Sequence, residues 1–126
     1  MKNFTILAIT CLLLIITGCS SLEKQEEIII KEVSYDELYW IEREQRDLIY
    51  KLNEDKERES IIEEVQKGVN RLRFKLDFMH DHPEYNIVKI EFLAVKYTNG
   101  DHSFEFMSDR SVITEVHSEI EGWKDY

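Results

Sequence analysis

The residue types best suited to chemistry stand together in His80-Asp81-His82-Pro83-Glu84, where two imidazoles and two carboxylates fall within five residues. Imidazole nitrogen and carboxylate oxygen are ligands for zinc and similar ions, so the stretch reads as a metal-binding loop. The plainer reading is a polar loop with Pro83 as its turn residue. Asp109 would complete a two-histidine, one-carboxylate set if the connection that carries it returns to the same end of the sheet. His102 lies beside the turn at Asn99-Gly100, at the far end of the intervening strand and about 35 Å away at the usual rise per residue, which excludes it. His117 reads as an exposed edge histidine. No metal site is assigned on this spacing alone.

Other chemistries find less support. Ser103, Ser108, Ser111 and Ser118 lie in no nucleophile elbow, and no glycine-rich phosphate loop is present. Carboxylates are abundant, but those on the helical segment already have basic neighbours. The chain therefore reads as non-enzymatic, with no catalytic residue and no cofactor. Tyr35, Tyr39 and Trp40 cluster where a helix begins, either as a binding anchor or as the part of the core where that helix meets the first strand. With 26 acidic against 16 basic residues the net charge is −10, which argues against nucleic acid as a partner.

The elements that must position these residues follow from periodicity. Ile28-Ile29-Ile30 and Val33 form a β-branched run that reads as a first strand. Ser34-Tyr35-Asp36-Glu37 is a capping box, which predicts a helix start at Ser34. Leu38, Ile41, Leu48, Ile49 and Leu52, then Ile61, Ile62, Val65 and Val69, recur at three- and four-residue spacing. Acid-before-base pairs four residues apart, such as Glu42/Arg46 and Glu63/Lys67, support the same helix. The apolar face is missing between Asn53 and Ser60, which predicts a continuous or kinked helix, or two helices joined near Asn53 to Asp55. Gly68 after Lys67 reads as the residue that ends it.

Beyond Gly68 the period changes to two: Leu72, Phe74, Leu76 and Phe78 alternate with charged residues and predict a strand. A second apolar run, Ile87 to Tyr97, meets Phe104-Glu105-Phe106 across Asn99-Gly100, a strong hairpin signal. A two-residue Asn-Gly loop pairs Val95 with Phe104 and Leu93 with Phe106. Val88, Ile90 and Phe92 point to the other face, so a bulge or bend is expected near Phe92-Leu93. Val112 to Val116 reads as a last strand. The expected architecture is α+β, a long N-terminal amphipathic helix, kinked or split, packed on a bent antiparallel sheet of three to five strands. By element order alone this resembles cystatin-like and nuclear-transport-factor-like domains; no sequence motif of either is present.

At the N-terminus Lys2 precedes an uncharged run from Phe4 to Thr17, shorter than the ~20 apolar residues of a membrane-spanning helix and zoned like a secretory signal. Ile16-Thr17-Gly18-Cys19 resembles the lipobox of bacterial lipoprotein precursors, with Ile where Leu is commonest. The resemblance implies cleavage between Gly18 and Cys19, a diacylglyceryl group such as a palmitate-bearing one on the Cys19 thiol, and a mature protein held in a bilayer by its acyl chains. At ~0.8 kcal/mol per buried methylene, two or three chains anchor a protein durably where one does not. Cys11 leaves with the signal, so the mature chain has no intramolecular disulfide. The expected divisions are a signal peptide over 1–18, a lipidated tether over 19–27, one domain over 28–121 and a tail over 122–126. The function expected from these features is a membrane-anchored lipoprotein of the cell envelope that binds another envelope protein. The alternatives are a metal-ion binder using His80 to Glu84 and an inhibitor or immunity-type lipoprotein.

Overall fold

The computed structural model describes residues 22–126; Cys19 and the apolar segment 1–18 lie outside the described residues. The order is β1 (Glu23–Ser34), α1 (Tyr35–Glu54), α2 (Glu59–Asp81), β2 (Tyr85–Asn99), β3 (His102–Met107), β4 (Val112–Ser118) and β5 (Gly122–Asp125). Two helices thus accompany one five-stranded antiparallel sheet. Among the described residues no helix is long and apolar enough to cross a membrane.

Helix α1 starts at its capping box. Ser34 Oγ accepts from the Glu37 amide at 3.3 Å, and Asp36 and Glu37 occupy the first turn, where the helix dipole favours negative charge. Ser34 is still the last residue of β1, opposite Ile87, and Glu37 accepts from its hydroxyl at 3.3 Å. The helix ends at Asp55 in a Schellman arrangement: the Lys56 amide donates to Asn53 O at 3.1 Å and the Glu57 amide to Leu52 O at 2.9 Å. Lys56 holds the left-handed conformation that this motif requires, φ +55°. The segment between Ser34 and Gly68 is therefore split, at a lysine rather than at a glycine.

Helix α2 continues through Gly68, correcting the expected stop there and the expected strand over Leu72 to Phe78. Ile61, Val65, Val69, Leu72, Leu76 and Met79 form one buried helical stripe. Leu72 and Leu76 fit both a two-residue and a four-residue period, whereas Phe74, 67% exposed, fits only the helix. Gly68 is a packing residue. A Cβ there would collide with the Met107 carbonyl oxygen and lie 3.2 Å from its carbon. The helix stops at His82, immediately before Pro83.

Strand β2 is the spine of the sheet. Along one edge it pairs with all twelve residues of β1, from Glu23/Thr98 to Ser34/Ile87. Residues 23–27, expected in the tether, are thus paired strand: backbone bonding needs no apolar side chains, and Lys24 is held 3.7 Å from Glu64 and over the Tyr97 ring. Along the other edge β3 pairs with the C-terminal part of β2 and β4 with its N-terminal part. The hairpin partners are Asn99/His102, Tyr97/Phe104 and Val95/Phe106. The loop is Gly100-Asp101, with Gly100 at φ +64° as its first residue, the position where a II′ turn needs glycine. The two-residue offset from the expected register keeps every side chain on its expected face.

Val88, Ile90 and Phe92 pack in one cluster with Val33, Leu38, Leu72, Leu76 and Met79. Val95 and Tyr97 pack in a second with Leu52, Ile61, Val65 and Phe106. The buried face changes between Ala94 and Val95, two residues beyond the expected point. The β1–β2 register has no slip there, so the two strands turn over together by twist. Residues 122–125, expected in a tail, form β5 against Glu115–Ser118. Gly122, at φ +72°, makes the return, and Trp123 packs on His117 at 5.1 Å between ring centres.

The glycine exchange tests this arrangement. Lys56→Gly relieves a left-handed backbone and should stabilise by about 0.5–1 kcal/mol. Gly68→Ala should destabilise by about 1–3 kcal/mol despite its better helix propensity, because the neighbour is backbone. Urea unfolding of both variants measures the pair.

Candidate binding site

Four residues of α2, Arg71, Phe74, Lys75 and Phe78, are spaced i, i+3, i+4 and i+7 and form a second helical stripe beside the core stripe. Across from them stand Ser111, Val112 and Ile113 at the start of β4, and Tyr126. Together they line an open cleft of about 410 Å³, within the size range of small-ligand sites.

Each wall is placed by specific bonds. Met107, the last residue of β3, is clamped: its amide donates to Gln45 Oε1 at 3.0 Å and its carbonyl abuts Gly68. The chain then turns through Ser108–Ser111. The Ser108 amide donates to Leu93 O at 2.8 Å and the Leu93 amide to Ser111 Oγ at 3.2 Å. These bonds satisfy β2 at the point where β3 has left it and β4 has not begun. No bulge interrupts the pairing of β2 with β1 at Phe92-Leu93; what changes there is the strand on its other edge, where β3 gives way to β4. Tyr126 is held by its amide bond to Thr114 O, 3.1 Å, and by the Phe78 ring at 4.9 Å.

Helices α1 and α2 are tied by a carboxylate inside their interface. Glu42, 3% exposed, accepts from Arg73 Nε at 3.1 Å. Arg46 Nε lies 2.7 Å from the same oxygen, but its N–H is not directed at it and is buried without a hydrogen-bond partner. That contact is an ion pair and not a hydrogen bond.

Lys75 is the unusual member of the cleft. It is 6% exposed, yet among the described residues it makes no ion pair and no side-chain hydrogen bond. Burial, reinforced by the positive charge of Arg71, pulls its ammonium pKa down to about 8. A perturbed lysine lining a cleft is a candidate functional group. A larger depression, about 580 Å³ beside Pro83–Asn86 and Ser118–Glu121, has its one lysine paired, Lys124 with Glu121 at 3.4 Å, and Glu84 bonded to His82 at 3.0 Å.

The residues singled out from sequence are dispersed. His80 lies 3.6 Å from Asp81 on the last turn of α2. His82 is stacked against Phe78 and Tyr85, with ring centres 4.7 and 5.7 Å away. Its hydrogen bond, with that from the residue's own amide, holds the Glu84 carboxyl below its ordinary pKa; the amide contributes most. Asp109 sits in the Ser108–Ser111 turn beside Leu93, about 26 Å along β2 from Tyr85 at the usual rise. The structure does not bring it to the histidines. Among the described residues no three His, Cys, Asp or Glu side chains are placed to share a metal ion. His117, expected at an exposed edge, lies 2.7 Å from Asn86 Oδ1, half-buried.

Tyr35, Tyr39 and Trp40 lie on the outer side of α1, Trp40 56% exposed with the Arg43 guanidinium 5.3 Å from its ring centre. The core reading of this cluster is overturned, because Leu38, Glu42 and Gln45 form the inward face instead. The sequence reading passed over Lys75 because it appeared as a solvent-facing residue of a strand. The 71, 74, 75, 78 spacing beside 65, 69, 72, 76, 79 is the signal that would have found it.

The charge on Lys75 opposes folding, which fixes the sign of its pH effect. Between pH 8 and 10.5 the folded chain holds fewer protons at Lys75 than the unfolded chain, so its contribution to stability rises with pH. The charged or titratable groups lining the cleft with it are Arg71 and Tyr126. Lys24, Lys89 and Lys124, whose pKa values are raised, act in the opposite direction. Lys75→Met should therefore be more stable than the parent by about 1–2 kcal/mol at pH 7, with the gap closing by pH 10.5. Urea midpoints across that range measure it.

Comparison of the chain with protein-family models, with curated proteins and with solved structures finds no match in any of the three.

Proposed function

We propose that the protein is a bacterial envelope lipoprotein, acylated at Cys19 and held at a bilayer, whose domain is a non-enzymatic module that binds another envelope protein. The anchor reading is supported by Ile16-Thr17-Gly18-Cys19 at the end of an uncharged run. A strand starting at Glu23 leaves a tether of only four residues, 19–22, about 14 Å at full extension. The domain would then ride close to the lipid surface.

The observation that carries the binding reading is the aromatic group on α1. Tyr35, Tyr39, Trp40 and Tyr50 are all exposed on one rigid helix, with Arg43 against Trp40. Tryptophan, tyrosine and arginine are the residues that most often anchor protein interfaces. The order of strand, helix and antiparallel strands resembles that of cystatin-like domains, here with a second helix before the sheet and with β4 paired to β2 and not to β3. That likeness is one of arrangement and carries no activity.

Two measurements test this reading. Mass spectrometry of the protein extracted from native membranes should show a mature N-terminus at Cys19 bearing acyl chains. An intact Met1 or a free Cys19 thiol would refute the anchor. A photo-crosslinking residue at position 40 should give one discrete envelope-protein adduct that is lost when Tyr39 and Arg43 are changed to Ala. A crosslinking pattern unchanged by those substitutions would refute the binding surface.

A further inference from the structure

We propose that the cleft between α2 and β4 is a binding site for an apolar monocarboxylate, its carboxylate held by Lys75 and Arg71 and its apolar body lying against Phe74, Phe78, Val112 and Tyr126. The site is separate from the aromatic group on α1 and does not depend on the anchor.

Three observations carry the proposal. The first is the unpaired charge: Lys75 is buried in the cleft wall, 6% exposed, with no acidic partner among the described residues. Elsewhere the protein pairs its buried charge, as Glu42 is paired between two arginines. The stem of Lys75 is covered by the wall while its ammonium, which has no ion-pair partner, is left to meet an anion at the cleft. Arg71 supplies a second positive group on the same rim.

The second observation is the lining. Phe74 and Val112 are large apolar residues exposed on opposite walls, and Tyr126, also exposed, closes one end. No Asp or Glu side chain is among the lining groups, although the chain as a whole carries ten net negative charges. An anion is thus admitted here by local charge alone, and an inorganic ion would leave the apolar walls uncovered.

The third is construction. Phe78 and Tyr126 are in edge contact at 4.9 Å, and Ser111 is fixed by its bond from Leu93, so both walls rest on regular elements. A bound carboxylate also restores the Lys75 charge to a favourable setting, which counters the effect of its burial.

The test uses the full chain with octanoate as probe and octanol and octylamine as controls, read by the methyl resonances of Val112 and Ile113. Octanoate should give saturable shifts. Octanol and octylamine should bind at least tenfold more weakly. Lys75→Met should weaken octanoate at least tenfold, and Arg71→Gln, at an exposed position, several-fold with the spectrum otherwise unchanged. Equal binding of octanol, undiminished octanoate binding in both variants, or no saturable shift with octanoate would overturn the proposal.

Discussion

Leu93 stands in the middle of the longest strand, opposite Ile28 on one edge, with a backbone amide and carbonyl on the other edge that neither β3 nor β4 reaches. The strand beside it changes identity there: β3 ends opposite Ala94 and β4 begins opposite Glu91. Buried peptide groups left unbonded are costly, on the order of 1–3 kcal/mol each. The turn Ser108–Ser111 resolves this with one backbone and one side-chain bond. Much else in the molecule follows from that solution. It lets one spine serve two strands on one edge, and it swings Val112 and Ile113 out to form a wall opposite α2.

The same junction is held from the helical side. Gln45 receives the Met107 amide and Gly68 admits its carbonyl, so α1, α2 and β3 meet at a single residue. Glu42, one turn before Gln45 on the same face, joins α1 to α2 through Arg73. Two polar residues in the inward stripe of α1 thus exchange apolar area for directional bonds. Such bonds define one docking of the helices, where apolar contact alone tolerates sliding. With α2 fixed in azimuth, its second stripe is fixed as well. That is how a core arrangement comes to place Lys75 in a cleft wall.

How far the sequence was legible depended on whether the signal was local. The capping box at Ser34, a hairpin around Gly100, though in another register, and the strand from Ile87 to Tyr97 are legible directly, because each depends on neighbours in the chain. The stretch Leu72 to Phe78 was misread because two helical stripes side by side imitate a two-residue period. Lys56 hid a helix end that glycine would have advertised. Gly68, the glycine that seemed to end the helix, was needed for a backbone contact 39 residues away. At the candidate site the histidine loop was conspicuous and Lys75 was not, since an unpaired buried cation is a property of surroundings rather than of spacing.

The sequence by itself determined the α+β class, the start of α1, the presence of a hairpin around Gly100 though not its register, and the apolar, uncharged N-terminal run before Cys19, since all of these rest on contacts or composition within a few residues. Only the tertiary structure decided that α2 runs to Asp81, that Glu42 and Gln45 face inward, that Asp109 is remote from His80 and His82, and that Lys75 and Arg71 share a cleft with Val112 and Tyr126. Those outcomes depend on which strand occupies which part of β2, and on the packing of helices against it. Both are long-range choices made by hydrogen-bond satisfaction and steric fit, which no window of sequence displays.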